Sequence, residues 1–261
     1  MDSLPSLKDK VPQTVEDLWK DYDPSAEPLK TQLVREWEEG GVVIRYLRYY
    51  IGTFKSKPAW MSAFYAFPKN GKNLPGVLHM HGGGQRANLT LVKFHASQGY
   101  GALSVNWGGK PMEGAKPGEA NTDWGAVDPT QNNVQGYFNL LPGEKFLDPM
   151  ESPRNCNWFL ITIGCRRGLT FLEKQPEVDG KRLGIRGHSM GGNLTMYVAG
   201  SDPRVKVASP SVGGSGFRTY SRYGLPPQIR NVRGDLGLFR RTMGYQFYAP
   251  HITAPLLHLG A

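Results

Sequence analysis

Cysteine is nearly absent from this chain: Cys156 and Cys165 are the two in 261 residues. A disulfide framework is therefore not what holds the fold. On a single helix the two would lie about 13 Å apart, too far to bond each other. They read as free buried thiols and leave the compartment open. Long apolar runs are missing as well, so no membrane-spanning helix is expected. The start, Met1-Asp2-Ser3-Leu4-Pro5, has neither the basic region nor the apolar segment of a secretory leader. The chain reads as cytoplasmic, or as secreted or periplasmic after loss of a signal peptide. Acidic residues are short too, 22 against 31 Lys and Arg, for a net charge of +9. Much of the excess sits between Arg218 and Arg241, with Arg222, Arg230, Arg233 and Arg240 against a lone Asp235. That stretch reads as a solvated surface, or as one that attracts an acidic substrate such as a uronic-acid polymer. No helix-turn-helix, RNP or zinc pattern accompanies it, which argues against nucleic acid.

What is present is globular: 39% hydrophobic and 20% charged residues, in a length that suits one large α/β domain. Residues 1–30 are polar and proline-punctuated, and are expected to wrap the surface. Three β-rich runs follow: Val34–Glu38, Val42–Tyr50 and Trp60–Phe67. They read as consecutive antiparallel strands. After a turn at Lys69–Asn73, Gly76–Met80 is apolar enough for a strand covered on both faces. Asn88–Gln98 reads as a helix with Leu89, Val92 and Ala96 on one stripe, and Gly101–Trp107 as the next strand. The irregular stretch Gly108–Arg154 carries Trp124, Tyr137 and Phe138 and is expected to wall a substrate cleft. Trp107 and Trp124 are the candidate substrate contacts. Asn157–Lys174 is helical in spacing, through Trp158, Ile161, Leu169 and Leu172. Val205–Ser209 and Ala254–Gly260 read as buried strands, and residues 214–245 as a basic, cap-like insertion. Strands alternating with helices give a mostly parallel sheet with antiparallel N-terminal strands and helices on both faces, spanning residues 31–261.

Two motifs carry chemistry. The first is Gly187-His188-Ser189-Met190-Gly191, a G-x-S-x-G pattern between the strand Arg182–Ile185 and a helix from Gly191 to Ala199. A serine hydroxyl is a weak nucleophile and must be held exposed at the top of a sheet. The turn that does so is strained, and side chains beside it would collide with the neighbouring strand and helix. The helix that begins there aims its positive end at the reacting centre. The second motif is His81-Gly82-Gly83-Gly84, directly after a buried strand. Consecutive glycines let backbone N–H groups turn toward a developing oxyanion, with the His81 ring in support. His79 and His81 form an H-x-H pair with no third ligand in view, so neither a metal nor another cofactor is expected.

These motifs, with Val178–Ile185 leading into the elbow, resemble the α/β-hydrolase superfamily. The layout from about residue 30 to 261 is similar to its acetyl xylan esterase and dienelactone-hydrolase-like branch. The resemblance implies Ser189 as nucleophile, with oxyanion donors from the Met190 N–H and the loop N–H groups at Gly83 or Gly84. It implies a serine esterase working through an acyl-enzyme on a small-molecule or polysaccharide ester. A glucuronoyl-type esterase, a serine peptidase of the same fold and a non-catalytic binding protein are the alternatives. Dienelactone hydrolases carry Cys where Ser189 stands. Glucuronoyl esterases carry G-C-S-R-x-G where this chain has His188 and Met190. Many sugar acetyl esterases have Gln at the position of Met190. In the superfamily the acid and then the histidine follow the serine, after the strand corresponding to Ala254–Gly260. The expectation is therefore a missing C-terminal segment that supplies acid, base and the last strand and helix. Asp235 with His251 or His258 is the internal rival, and no acid or base is assigned.

Overall fold

The computed structural model describes residues 11–54, 56–126, 152–155, 157–213 and 236–257. Period-two alternation dominates the first half. In β2 (Val42–Phe54), Val43, Leu47, Tyr49 and Ile51 enter one core while Val42, Ile44 and Tyr46 enter another. A strand buried on both faces needs no polar side, which is why this run is apolar at both parities. β1 (Gln32–Glu39) and β3 (Lys57–Pro68) pair with β2 antiparallel. β4 (Leu74–Met80), β5 (Gly101–Val105), β6 (Val178–His188) and β7 (Val205–Ser211) complete a seven-stranded sheet. Its order is β1-β2-β3-β5-β4-β6-β7. β5, β4, β6 and β7 are mutually parallel, and β3 meets β5 antiparallel.

Helices cover both faces. α2 (Leu89–Ser97) lays Val92 and Ala96 against Ile44, Phe64 and Ala102. Its start is fixed by Asn88, whose side chain accepts the Leu91 N–H at 2.8 Å, one of the donors a helix leaves orphaned. α3 (Asn157–Glu173) and α4 (Met190–Ser201) pack on the opposite face. From β4 the chain crosses through α2 to β5 on one side. From β5 it returns through α3 to β6 on the other side of β4. The winding reverses at β4, and the crevice outside the carboxyl ends of β4 and β6 is where such sheets hold ligands.

Three sequence expectations are corrected here. The N-terminal segment does more than wrap the surface. Its helix α1 (Val15–Trp19), capped by Thr14, inserts Leu18 and Trp19 into the main core. β5 stops at Val105, short of Trp107. Ala254–Gly260 forms no buried strand over its described part: Leu256 makes an isolated bridge to Ala208, and Leu256 and Leu257 are exposed. Of the expected cap-like insertion 214–245, the described residues begin at Leu236. α5 (Leu236–Met243) leads into α6 (Tyr245–Tyr248), and the Tyr245 and Tyr248 rings pack on Tyr197 of α4. A Cβ at Gly200, at the far end of α4, would meet Tyr248. At 1.5 Å rise per residue, Gly200 lies roughly 16 Å along the helix from Ser189. Residues 214–235, with most of the basic stretch, lie outside the described residues, as do Tyr137, Phe138 and Cys156. Cys165 is buried and free, and burial pushes its thiol up.

Candidate active site

β4 and β6 are neighbours in register, with Met80 opposite Gly187. The turns that follow them are therefore forced together. Ser189 sits in one turn with φ 57° and ψ −118°, a left-handed conformation that costs a non-glycine residue about 1–3 kcal/mol. Its surroundings impose it. Its N–H donates to the Ser211 carbonyl at 2.8 Å, and its carbonyl accepts from the Asn193 N–H at 3.1 Å. Two glycines are sterically required. A Cβ at Gly187 would collide with the Gly191 carbonyl, and one at Gly191 with the Met80 carbonyl. Ser189 is partly exposed, and its side chain caps nothing. Among the described residues its hydroxyl has no hydrogen-bond partner. The first N–H groups of α4 thus open beside it without a capping side chain.

The second turn is His81–Gly84. Gln85 folds back on it: its Oε1 accepts the Gly82 N–H at 3.1 Å, and its own N–H donates to the Gly82 carbonyl at 3.3 Å. Of the glycine amides in this loop, those of Gly83 and Gly84 therefore keep their donors open among the described residues. Gly84 is left-handed, φ 69°, and both glycines are exposed. Gly83 and Met190 are in contact; a Cβ at Gly83 would collide with the Met190 thioether. The structure thus brings Ser189, Met190, Gly83 and Gly84 into one cluster at the carboxyl edge of the sheet.

His81 holds this loop from behind. Its Nδ1 lies 2.7 Å from the Gly82 carbonyl and must donate, while its Nε2 accepts the Gly108 N–H at 3.1 Å. That pattern fixes the neutral ring with its proton on Nδ1. Burial lowers its pKa to about 4, aided by the Lys110 charge and opposed by the Gly82 hydrogen bond. The Trp107 ring stacks on His81 at 4.7 Å and its Nε1 donates to the His81 carbonyl at 2.9 Å. Trp107 is fully buried, so it is a support of the loop and not a substrate contact; Trp124, 4% exposed, belongs to the core as well. Both aromatic expectations are corrected. His79 hydrogen-bonds Ser104 at 2.9 Å, and burial takes it down to about 3. Among the described residues no group of three or more His, Cys, Asp or Glu could hold a metal ion. No described helix is long and apolar enough to cross a membrane.

Of the rival acid and base, Asp235 and His258 lie outside the described residues. His251 is remote: it pairs with Glu16 at 3.3 Å in a cavity formed with residues 199–203 at the far end of α4. Sequence reasoning missed Asn106. It is fully buried at the end of β5, and its Oδ1 accepts the Ala87 N–H at 3.2 Å. Its Nδ2 donates to the Lys110 carbonyl and to Asn121 Oδ1, at 2.6 and 2.8 Å. The signal was an amide side chain closing an otherwise apolar strand.

The sequence matches the acetyl xylan esterase (AXE1) family over residues 7–214. Acetyl esterase Axe7A of Xylanibacter ruminicola is 27% identical over 142 residues, 53% of this chain and 29% of that protein. The matched region thus spans under a third of the curated relative. Among solved structures, acetyl xylan esterase 1 from Thermoanaerobacterium sp. JW/SL YS485 superposes with a TM-score of 0.65 at 18% identity, covering 95% of this chain and 78% of that one. The acetyl xylan esterase from Paenibacillus sp. R4 gives 0.61 at 20% identity, covering 98% and 89%. At those identities the likeness is one of fold, the α/β-hydrolase fold.

Proposed function

Because the chain belongs to the acetyl xylan esterase family, we propose that it is a serine carboxylic-ester hydrolase that removes acyl groups, acetyl first among them, from carbohydrate. Ser189 is the nucleophile in this reading. Its Oγ bonds to the ester carbonyl carbon while the oxyanion is met by the Met190 N–H and by the Gly83 or Gly84 N–H. The bond to the sugar oxygen breaks, the alcohol leaves with the proton given up by the Ser189 hydroxyl, and water then cleaves the acyl-enzyme, releasing the acid and returning a proton to Ser189. The observation that carries the reading is the strained Ser189 backbone held opposite a loop with two open amides, with Met190 against Gly83.

A fluorophosphonate probe on the full chain tests it, alongside acetate release from an acetylated xylo-oligosaccharide. Labelling and acetate release that both vanish in Ser189→Ala support the proposal. Labelling that persists in that variant defeats it.

A further inference from the structure

A cleft of about 610 Å³ opens beside the glycine loop, within the range of small-molecule sites. Gly84 is in its lining, so the cleft begins where the candidate oxyanion loop ends. One wall is the chain from Gly84 through Asn88 to Thr90 at the start of α2. The other carries Lys110 and Glu113. The two walls are fastened to each other. Buried Asn106 holds the Ala87 N–H with one end of its amide and the Lys110 carbonyl with the other. Arg86 crosses to the second wall, its Nη1 donating to the Pro111 carbonyl at 3.1 Å. Asn121 adds bonds to the Gly109 and Lys110 carbonyls. A cleft whose sides share one buried amide keeps its width, which is what a binding site needs and a chance surface groove lacks.

Its chemistry is that of hydrogen bonding. Amide, hydroxyl and charged side chains line it, and no aromatic residue does. Such a lining suits a polyhydroxylated ligand held edge-on rather than one stacked on a ring face. Of its three charged groups, Arg86 and Lys110 are positive and Glu113 is negative. The Lys110 ammonium makes no ion pair and no hydrogen bond among the described residues.

Resting on the proposed function, we infer that this cleft is the subsite for the sugar portion of the ester, and that Lys110 with Arg86 gives it a preference for chains bearing a carboxylate, as on a uronic acid. An acetyl group at Ser189 leaves the sugar on the open side of the glycine loop, where this lining would take its free hydroxyls.

Three substrates assayed on the full chain test the inference: p-nitrophenyl acetate, a neutral acetylated xylo-oligosaccharide, and the same oligosaccharide bearing glucuronic acid. Thr90→Tyr narrows the cleft from an exposed position on α2. It should lower kcat/KM on both oligosaccharides about tenfold and leave p-nitrophenyl acetate within about twofold, a selective loss of binding energy. Lys110→Glu should cost about tenfold on the acidic oligosaccharide and little on the neutral one. If Thr90→Tyr leaves the oligosaccharides unchanged, or lowers all three substrates alike, the subsite is wrong. If Lys110→Glu affects both oligosaccharides equally, the charge preference is wrong. Wild-type chain that fails to hydrolyse p-nitrophenyl acetate, or a Ser189→Ala variant that still does, overturns the esterase reading and the subsite with it. Ser189-dependent hydrolysis with indifferent sugar kinetics overturns the subsite alone.

Discussion

The two ends of α4 are built on opposite principles. At its start, glycines keep side chains away, Ser189 is strained, and its side chain does not cap the backbone donors. At its finish, charged and aromatic side chains pair with one another. Asp202, 2% exposed, accepts from Arg166 at 3.4 Å and from Arg204 at 2.7 Å, and Arg204 reaches on to Glu173 at 2.8 Å. Tyr197 packs against two tyrosine rings there and donates to the Met243 carbonyl at 2.8 Å. One helix thus carries a site whose polar groups are left open and an anchor built on paired charges, where Arg166 Nη1 is a buried donor without a partner among the described residues. The strained end persists through its own neighbours, the Ser211 carbonyl, the Asn193 N–H and the flanking glycines, since strain survives only where the surrounding structure over-determines it.

The contrast can be broken from either end. The largest effect is expected at Ser189: Ser189→Ala should reduce ester hydrolysis roughly a thousandfold or more while the melting temperature stays level, measured by acetate release and calorimetry. Next is Gly191→Ala, which drives a methyl group into the Met80 carbonyl. It should cost about 3 kcal/mol in urea unfolding and remove activity by displacing the elbow. Asp202→Asn attacks the other end. Leaving Arg166 buried without its carboxylate should cost about 3 kcal/mol as well, yet activity per folded molecule should hold. An Asp202→Asn variant that loses activity per folded molecule would blur the two ends and defeat the comparison.

Acid gives a smaller, graded effect. Burial acts to raise the Asp202 pKa, but the Arg204 hydrogen bond and the Arg166 and Arg204 charges outweigh it and hold the carboxyl low. Its stabilisation is complete above the ordinary aspartate range and is lost as pH falls through the lowered folded value. His81 works through the opposite charge with the same sign in pH. Folded, it stays neutral down to about 4, whereas the unfolded imidazole takes its proton near 6.5. Stability from His81 is therefore full above about 6.5 and declines as pH drops from there to about 4, below which the loss is complete. Protonation would also force Nε2 to give up the Gly108 N–H. Activity should fall before global unfolding on the acid side, seen by comparing pH profiles of kcat with far-UV melting. The smallest change is Met190→Leu, which keeps the backbone donor and the bulk against Gly83; kcat should fall no more than about threefold.

Much of this was legible beforehand because glycine and strand patterns are local. The succession of β2, β3, β4 and β6 along the chain and the helix after Ser189 follow from short-range sequence signals, whereas the partnership of His81–Gly84 with the elbow is implied by the family resemblance. What stayed hidden depends on distant partners. Trp107 looks like a cleft aromatic until the His81 ring is found stacked on it. The apolar run near Leu256 and Leu257 looks like a core strand, yet only one bridge to Ala208 receives it. Leu18 and Trp19 sit in a polar, proline-punctuated segment, where the helical spacing of Val15, Leu18, Trp19 and Tyr22 lasts only two turns and is easily passed over. Asn106 gains its meaning only from Ala87 and Lys110, which converge on it from two loops.

Trp19 has a further consequence. Its indole N–H donates to the Tyr248 hydroxyl at 2.9 Å, across 229 positions of chain. During synthesis at about 5–20 residues per second, that first helix waits on the order of 10–50 s before its partner has even been translated. Until then a large aromatic surface travels uncovered, and the growing polypeptide must be shielded or must hold the ring in a provisional nest such as the one Phe159 offers, 4.6 Å away. The turn of helix at Tyr248 closes over the one at Trp19.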